Sequence, residues 1–271
     1  MKLKFWGVRG SIPTPGQEYT KYGGNTSCVE VEINNNLIIL DMGSGLRKLG
    51  DSIVERNIYT FDILVSHFHY DHTCGLPFFK PAYDKKYDFT VNSGILKTRK
   101  NTLGVLRDQI SKPSFPITID QFNAQISYKD FEVGKDFEIR KNIKVSTISL
   151  NHPDGATGYK IEHDGKSLCY ITDHEHIEGQ KNELLVNFIK ETDVFIYDTM
   201  FDDKNFSSYV GWGHSTWQEG ARLAMDSGAK KLIMFHHSPD NNDKILDKMQ
   251  FESQGLSSNF LVAKEGMFVH I

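Results

Sequence analysis

Residues 66–72 read Ser66-His67-Phe68-His69-Tyr70-Asp71-His72, an H-x-H-x-D-H run that begins where the apolar stretch 63–65 ends. No other segment restricts the possible folds as much. An extended backbone points every second side chain the same way, so His67 and His69 can face one point. Asp71 and His72 follow in a turn and can be aimed at a second point beside it. The run thus offers two ligands to each of two metal ions. Two ions roughly 3.5–4 Å apart can activate a water and clamp the oxygens of a displaced phosphate. Four ligands do not complete two sites, because zinc takes three or four N/O ligands and keeps a position for water. The fold must deliver the rest.

Six short apolar runs show where they come from. Residues 37–40 lead into Asp41, 63–65 into Ser66-His67, 143–150 into Asn151-His152, 168–172 into Asp173, 194–197 into Asp198 and 232–235 into His236. Short apolar runs bounded by turns read as buried strands, and open α/β sheets gather ligands at strand C-termini. The six ends are therefore expected to converge on one polar site, with His152, Asp173 and His236 supplying the missing ligands. The two oxygens of Asp173 allow it to bridge both ions. Asp41 is expected to be structural, accepting hydrogen bonds from the Gly43–Gly45 turn. Helices are expected at 44–57, 216–227 and 240–250, from apolar positions at helical spacing and Gly228 as a C-terminal cap. Residues 28–33 and 37–40 read as a hairpin across Asn34-Asn35-Asn36. Hairpins mixed with βα units imply two sheets with helices outside. Segments 13–25, 112–123 and 201–213 are loop-sized, and no linker or fixed-period repeat occurs, so residues 1–271 read as one domain.

Composition narrows the setting. The chain has 31 Lys+Arg against 35 Asp+Glu, a formal charge of −4. Grip on a long nucleic acid draws on basic excess, so this balance favours a small substrate. Cys28, Cys74 and Cys169 are too few and too scattered for a disulfide framework or a thiolate zinc site, which points to a reducing cytoplasm. No apolar run is long enough for a membrane-spanning helix, and the first residues lack the apolar core of a signal peptide.

The His67–His72 run resembles the signature of the metallo-β-lactamase superfamily. Residues 5–14 (FWGVRGSIPT), Asn25-Thr26-Ser27, Asp41 in LDMGSG, Gly213-His214-Ser215-Thr216 and Phe235-His236-His237-Ser238-Pro239 extend the resemblance over nearly the whole chain, toward the ribonuclease Z-like and small cyclic phosphodiesterase branch. The resemblance implies an α/β fold, a four-layer αββα sandwich of two mixed β-sheets with helices on the outer faces. It implies one metal on His67, His69, His152 and Asp173 and a second on Asp71, His72, Asp173 and His236. The metals would be two divalent ions, zinc by default, with manganese or iron in some members. Asp71 would also position or deprotonate the nucleophile, and His214 would protonate the leaving oxygen or stabilise the transition state. Of the adjacent pair His236 and His237, alignment of the apolar run favours His236.

The tRNA-processing members carry a long arm between the third-ligand motif and the bridging Asp. Here His152 and Asp173 lie only twenty-one residues apart, room for a hairpin alone. The expected reaction is therefore attack of a metal-bridging hydroxide on a small phosphodiester, a cyclic nucleotide above all. No stable nucleic-acid partner and no membrane are expected, and the protein is expected to be a homodimer. The alternatives are a tRNA 3′-processing-type endoribonuclease, an ester, lactone or thioester hydrolase on the same fold, and a non-enzymatic metal sensor. A flavodiiron-type oxygen reductase would carry a carboxylate at the position of His69. Tyr70, Tyr209 and Trp212 are candidates for stacking at the mouth. His174 and His176 are expected to face a loop, His163 and His270 the surface, and Cys74 to pack. Segment 97–123 is a candidate cover for a pocket or a contact with a partner chain.

Overall fold

The computed structural model describes residues 1–94 and 100–271. In chain order the strands are β1 (Lys2–Gly7), β2 (Cys28–Ile33), β3 (Asn36–Leu40), β4 (Thr60–Val65), β5 (Asp88–Gly94), β6 (Gln125–Phe131), β7 (Phe137–Glu138), β8 (Lys144–Leu150), β9 (Ala156–His163), β10 (Lys166–Ile171), β11 (Val194–Asp198), β12 (Leu232–Phe235), β13 (Phe260–Val262) and β14 (Phe268–His270). They form two seven-stranded sheets, ordered β14-β1-β2-β3-β4-β5-β6 and β13-β12-β11-β10-β9-β8-β7. Both sheets are mixed. The hairpin of β2 and β3 is antiparallel while β3 through β6 run parallel. In the second sheet β7 through β10 are antiparallel and β10 through β13 parallel.

The apolar runs are apolar at every position because both faces of each sheet are covered. Ile38 and Leu40 of β3 turn toward the other sheet, where they share a core with Tyr170, Ile196 and Phe235. Leu37 and Ile39 turn outward and pack with Leu46, Leu49 and Ile53 of α1 (Leu46–Glu55). On the far side, Phe195 and Tyr197 of β11 pack outward among helices α3 (Glu183–Phe188), α4 (Trp217–Ser227) and α5 (Asp243–Gln254); the remaining helix, α2, is Thr102–Gln109. The layers are therefore helix, sheet, sheet, helix, the expected αββα sandwich. Truncating one inter-sheet side chain such as Ile38 to Ala would cost about 2–5 kcal/mol.

Helix starts follow the available caps. The Thr216 hydroxyl accepts from the Glu219 N–H and opens α4, and Gly228, at φ 71°, closes it. The helix expected at 240–250 begins three residues later and runs to Gln254. The Asn242 side chain accepts from the N–H groups of Lys244 and Ile245, while 238–241 are spent in a turn. The helix expected at 44–57 is trimmed at both ends. Ser44 exchanges hydrogen bonds with Thr26, donating its N–H to Oγ1 at 2.8 Å and accepting the Thr26 N–H at 2.9 Å. That exchange ties the Asn25-Thr26-Ser27 segment to the head of α1. In segment 97–123, residues 97–99 lie outside the described residues. Its helix α2 ends on Gln109, whose side chain donates to the Phe68 carbonyl at 2.5 Å, so the segment leans on the histidine run.

Candidate metal centre

The histidine run leaves β4 under the control of a buried carboxylate. Asp41, at the end of β3, accepts from the Ser66 N–H at 2.7 Å, the Ser66 hydroxyl at 2.8 Å, the Tyr170 hydroxyl at 2.7 Å and His72 Nδ1 at 2.8 Å. The partners expected in the Gly43–Gly45 turn are not the ones it has. Its φ of 63° turns the carboxylate inward, across the space between the sheets, rather than along its own loop. Asp173 and His236 share this left-handed conformation, at φ 55° and 60°. Three strand-end residues in a sparsely populated backbone region mark a site where packing holds strain in place.

Around this frame Asp198 and His214 make a cluster with Asp173 and His236, and the ligand atoms expected from the sequence fall into two groups. His67, His69 and His152 form one, with His152 Nε2 3.0 Å from His69 Nδ1. Asp71, His72 and His236 form the other, with His236 Nε2 3.2 Å from both His72 Nε2 and Asp71 Oδ2. Asp173 stands between them. Its Oδ1 lies 3.7 Å from His67 Nε2 and 3.6 Å from His152 Nε2, and its Oδ2 lies 3.1 Å from His72 Nε2 and 3.3 Å from His236 Nε2. Each group thus receives one oxygen of a single carboxylate. All seven side chains expected at the centre are together, and only His69 among them is not buried.

The donor set fits divalent cations. His72 gives its Nδ1 proton to the Asp41 carboxylate and His152 gives its own to the Gly213 carbonyl at 2.7 Å. A neutral imidazole with Nδ1–H carries a lone pair on Nε2, so both rings would present lone pairs to a cation at the centre. Burial opposes charge on His72, but Asp173, Asp71 and Asp41 raise its pKa well above the ordinary value, so a cation would take the place of its Nε2 proton. His67 Nε2 is buried there with no hydrogen-bond partner. Converging lone pairs and two carboxylates need positive charge between them, and outer partners such as Asp41 orient metal-binding histidines in this way. Burial drives the His67 imidazole well below its ordinary pKa, and the neighbouring His72 lowers it further. Burial works against charge on Asp71 and Asp173, but the histidines facing them hold both carboxylates well below their usual range.

His214 stands beside this centre. Its Nδ1 lies 2.8 Å from Asp198 Oδ2 and 3.8 Å from Asp173 Oδ1. Burial opposes its charge, yet Asp198 lifts its pKa to about 9. Asp198 was visible in the sequence as one of the six strand ends and received no role there; it is the anchor of His214. Arg9 carries no local sequence signal of its role. It is fully buried, donating through Nε to the Gly23 carbonyl at 2.8 Å and through its guanidinium to the Asn241 carbonyl at 2.6 Å. It thereby pins the 5–14 segment, whose Ser11 N–H donates to Asp71 Oδ2 at 2.7 Å. Gly213 is required: at φ 86° a Cβ would overlap His152 Nδ1.

The remaining histidines separate by geometry. His237 points away, donating through Nε2 to the Ala263 carbonyl at 2.9 Å, while its neighbour His236 faces the centre. His174 and His176 lie inward, and His176 faces the 199–216 loop. Both are buried: His174 Nδ1 accepts from the Asn151 N–H, and His176 pairs with the Ser215 hydroxyl and stacks on Phe206. Phe206 and Ser215 close over His176, and Tyr197 meets His174 edge-on. His270 is exposed and His163 half-buried, its ring bonded to Asn34 and Asn142. Cys74 faces the Thr26 hydroxyl. Tyr70 is 71% exposed and Trp212 62%, while Tyr209 lies half-buried on Phe201.

Residues 52–237 match the family model described as the beta-lactamase superfamily domain. The ribonuclease Z of Picrophilus torridus is 22% identical over 310 aligned positions, spanning 97% of this chain and 94% of that protein. The ribonuclease Z of Enterococcus faecalis is 23% identical over 322 positions, spanning 100% and 97%. Among solved structures, a diphosphatase from the PhnP family superposes with a TM-score of 0.74 at 17% identity, covering 100% of this chain and 97% of that one. Human tRNase Z, short form, superposes at 0.67 and 18% identity, covering 100% and 99%. At these identities the superpositions show likeness of fold.

The relatives correct one expectation. A charge of −4 and the two-residue turn Asp164-Gly165 between β9 and β10 point to a small cyclic phosphodiester and no nucleic-acid partner. Matches along almost the full chain to proteins named for cutting RNA overturn that reading. The physical reason lies in the centre itself. Two divalent ions held there would bring local positive charge to a phosphate, so a chain with this centre would need no basic excess overall. No helix among the described residues is long and apolar enough to cross a membrane.

Proposed function

The chain belongs to the metallo-β-lactamase superfamily and is a metal-dependent hydrolase, and on that premise we propose that it cuts a phosphodiester bond in RNA, as a ribonuclease Z-type enzyme. The observation that carries this reading is the pairing of two ligand groups across Asp173 with His214, anchored by Asp198 and within 4.8 Å of Asp173 and His236, in a chain that matches ribonuclease Z proteins along almost its full length. We assign His67, His69, His152 and Asp173 to one ion and Asp71, His72, Asp173 and His236 to the other. A set of five imidazoles and two carboxylates suits zinc. Both sheets contribute ligands, which supports reading residues 1–271 as one hydrolase domain. The three cysteines are free thiols, which supports a reducing compartment such as the cytoplasm.

Two ions held by these residues would supply an activated water and neutralise charge on the phosphoryl oxygens. The protein's own groups do the rest. Asp71 takes the Ser11 N–H on the same oxygen that faces His72 and His236, so it is fixed where it can orient the incoming nucleophile. His214, with Nδ1–H held by Asp198, presents Nε2 as the proton donor to the leaving oxygen. An alkoxide leaving group needs that proton, and this favours phosphodiester chemistry over hydrolysis of an activated thioester.

The test is a substrate panel with a metal count. A tRNA precursor with a 3′ extension and bis-p-nitrophenyl phosphate should both be cleaved, and a chelator should stop both. Turnover confined to a thioester or lactone would sink the phosphodiester assignment. Turnover confined to 3′,5′- or 2′,3′-cyclic nucleotides would sink the RNA assignment.

A further inference from the structure

We propose that the cavity beside the metal centre holds the nucleobase on the leaving-oxygen side of the scissile phosphodiester, with Trp212 as its stacking platform. This rests on the phosphodiesterase reading above and adds where the substrate's specificity is read. The cavity measures about 710 Å³, within the range of small-molecule sites. Ser11 and Met200 line it and connect it to the centre, the Met200 N–H donating to Asp198, the partner of His214. The Ser11 N–H bonds Asp71, and Met200 and His236 both crowd Gly10.

One wall is an aromatic ladder that begins at the proton donor. His214 meets Phe201 edge-on, with ring centroids 6.1 Å apart and planes at 72°. Phe201 stacks face to face on Tyr209 at 4.1 Å and 7°. Tyr209 meets Trp212 edge-on at 5.5 Å and 85°. Trp212 ends the ladder with most of its ring in solvent. Whatever is attached to the oxygen that His214 protonates projects along this wall. A base stacks on an indole face whatever its identity.

The charge in the cavity selects the base rather than a phosphate. Asp202, Asp240 and Glu252 line it against a single lysine, Lys248, which lies 3.7 Å from Glu252. A second phosphate would be repelled, whereas amino groups of a base find carboxylate acceptors.

Dinucleotides carrying adenine on both sides, or an abasic sugar on one side or the other, test this directly. The native enzyme should prefer, by about tenfold in kcat/KM (about 1.4 kcal/mol), the substrates whose base sits on the leaving-oxygen side. Trp212→Ala should abolish that preference and Trp212→Phe should restore most of it. Trp212 is exposed, so its removal leaves the core packed. A native enzyme indifferent to the base, or a preference that survives in Trp212→Ala, would overturn the proposal. Failure of the phosphodiesterase reading looks different: none of the dinucleotides is cut, and the proposal falls with it.

Discussion

Asp41 Oδ2 accepts the Nδ1 proton of His72 at 2.8 Å, so a carboxylate that faces neither ligand group's centre decides which nitrogen of a ligand carries the lone pair. Both residues are fully buried. Asp41→Asn would set an amide against that Nδ1–H and weaken the acceptor for Ser66 and Tyr170. Metal affinity should fall about 10–100-fold, and unfolding free energy by about 1–3 kcal/mol. Chelator competition and urea titration measure the two effects. Native metal affinity in the variant would show that His72 is oriented by something else.

Asp173 presents one oxygen to each ligand group. An amide nitrogen cannot replace a carboxylate oxygen as a ligand, so Asp173→Asn should leave one of the two groups short. The metal-to-protein ratio by plasma mass spectrometry should drop below two, and kcat should fall by about 10²-fold or more. Two tightly bound ions in that variant would contradict the bridging assignment.

His214 and Asp198 should behave as one unit. His214→Asn and Asp198→Asn should each lower kcat by about 10²–10⁴-fold, and the double variant should lose little beyond the worse single one. Metal content should stay native in all three, since neither side chain is assigned to an ion. Additive losses would mean that Asp198 acts on something other than His214. Loss of metal would place one of them among the ligands.

How far the sequence carried can be traced through these same residues. The rule that apolar runs end in imidazoles or carboxylates located His67, His152, Asp173 and His236, because strand direction fixes where a strand's C-terminal neighbour lies. The same rule exposed Asp41 and Asp198 without their roles. Those roles depend on which residue of another strand lies across a gap, Tyr170 and Ser66 for one and His214 for the other, and no local periodicity encodes that. Arg9 was hidden for the same reason, its partners Gly23 and Asn241 being remote in sequence. Asp240, Asn241 and Asn242 cap equally well by residue type, and the 238–241 turn leaves Asn242 as the one that closes on the Lys244 and Ile245 N–H groups. The burial of His174 and His176 depends on Tyr197 for one and on Phe206 and Ser215 for the other, which are remote in sequence. Substrate class was least legible, since net charge reports the surface and the reaction occurs at a buried centre.

His237 supplies a test of stability that does not pass through catalysis. It is fully buried, and burial, with Arg9 nearby, pushes its pKa down to about 3. In the unfolded chain the ring titrates near its ordinary value of 6.5. As pH falls below 6.5 the unfolded chain takes up a proton that the folded one refuses. The stabilisation from a neutral His237 is therefore complete above 6.5 and is lost progressively as pH drops from 6.5 toward 3. Between pH 7 and pH 5 this one group should remove about 2 kcal/mol of unfolding free energy. His237→Gln cannot titrate, so its stability should fall less than the native protein's over the same interval, by about that amount. Urea unfolding of both proteins at pH 7 and pH 5, in identical buffers, isolates the difference from the other histidines, which the two proteins share. An equal acid loss in both would mean that His237 is protonated in the folded state, and that its Nε2–H bond to the Ala263 carbonyl is accompanied by a proton on Nδ1.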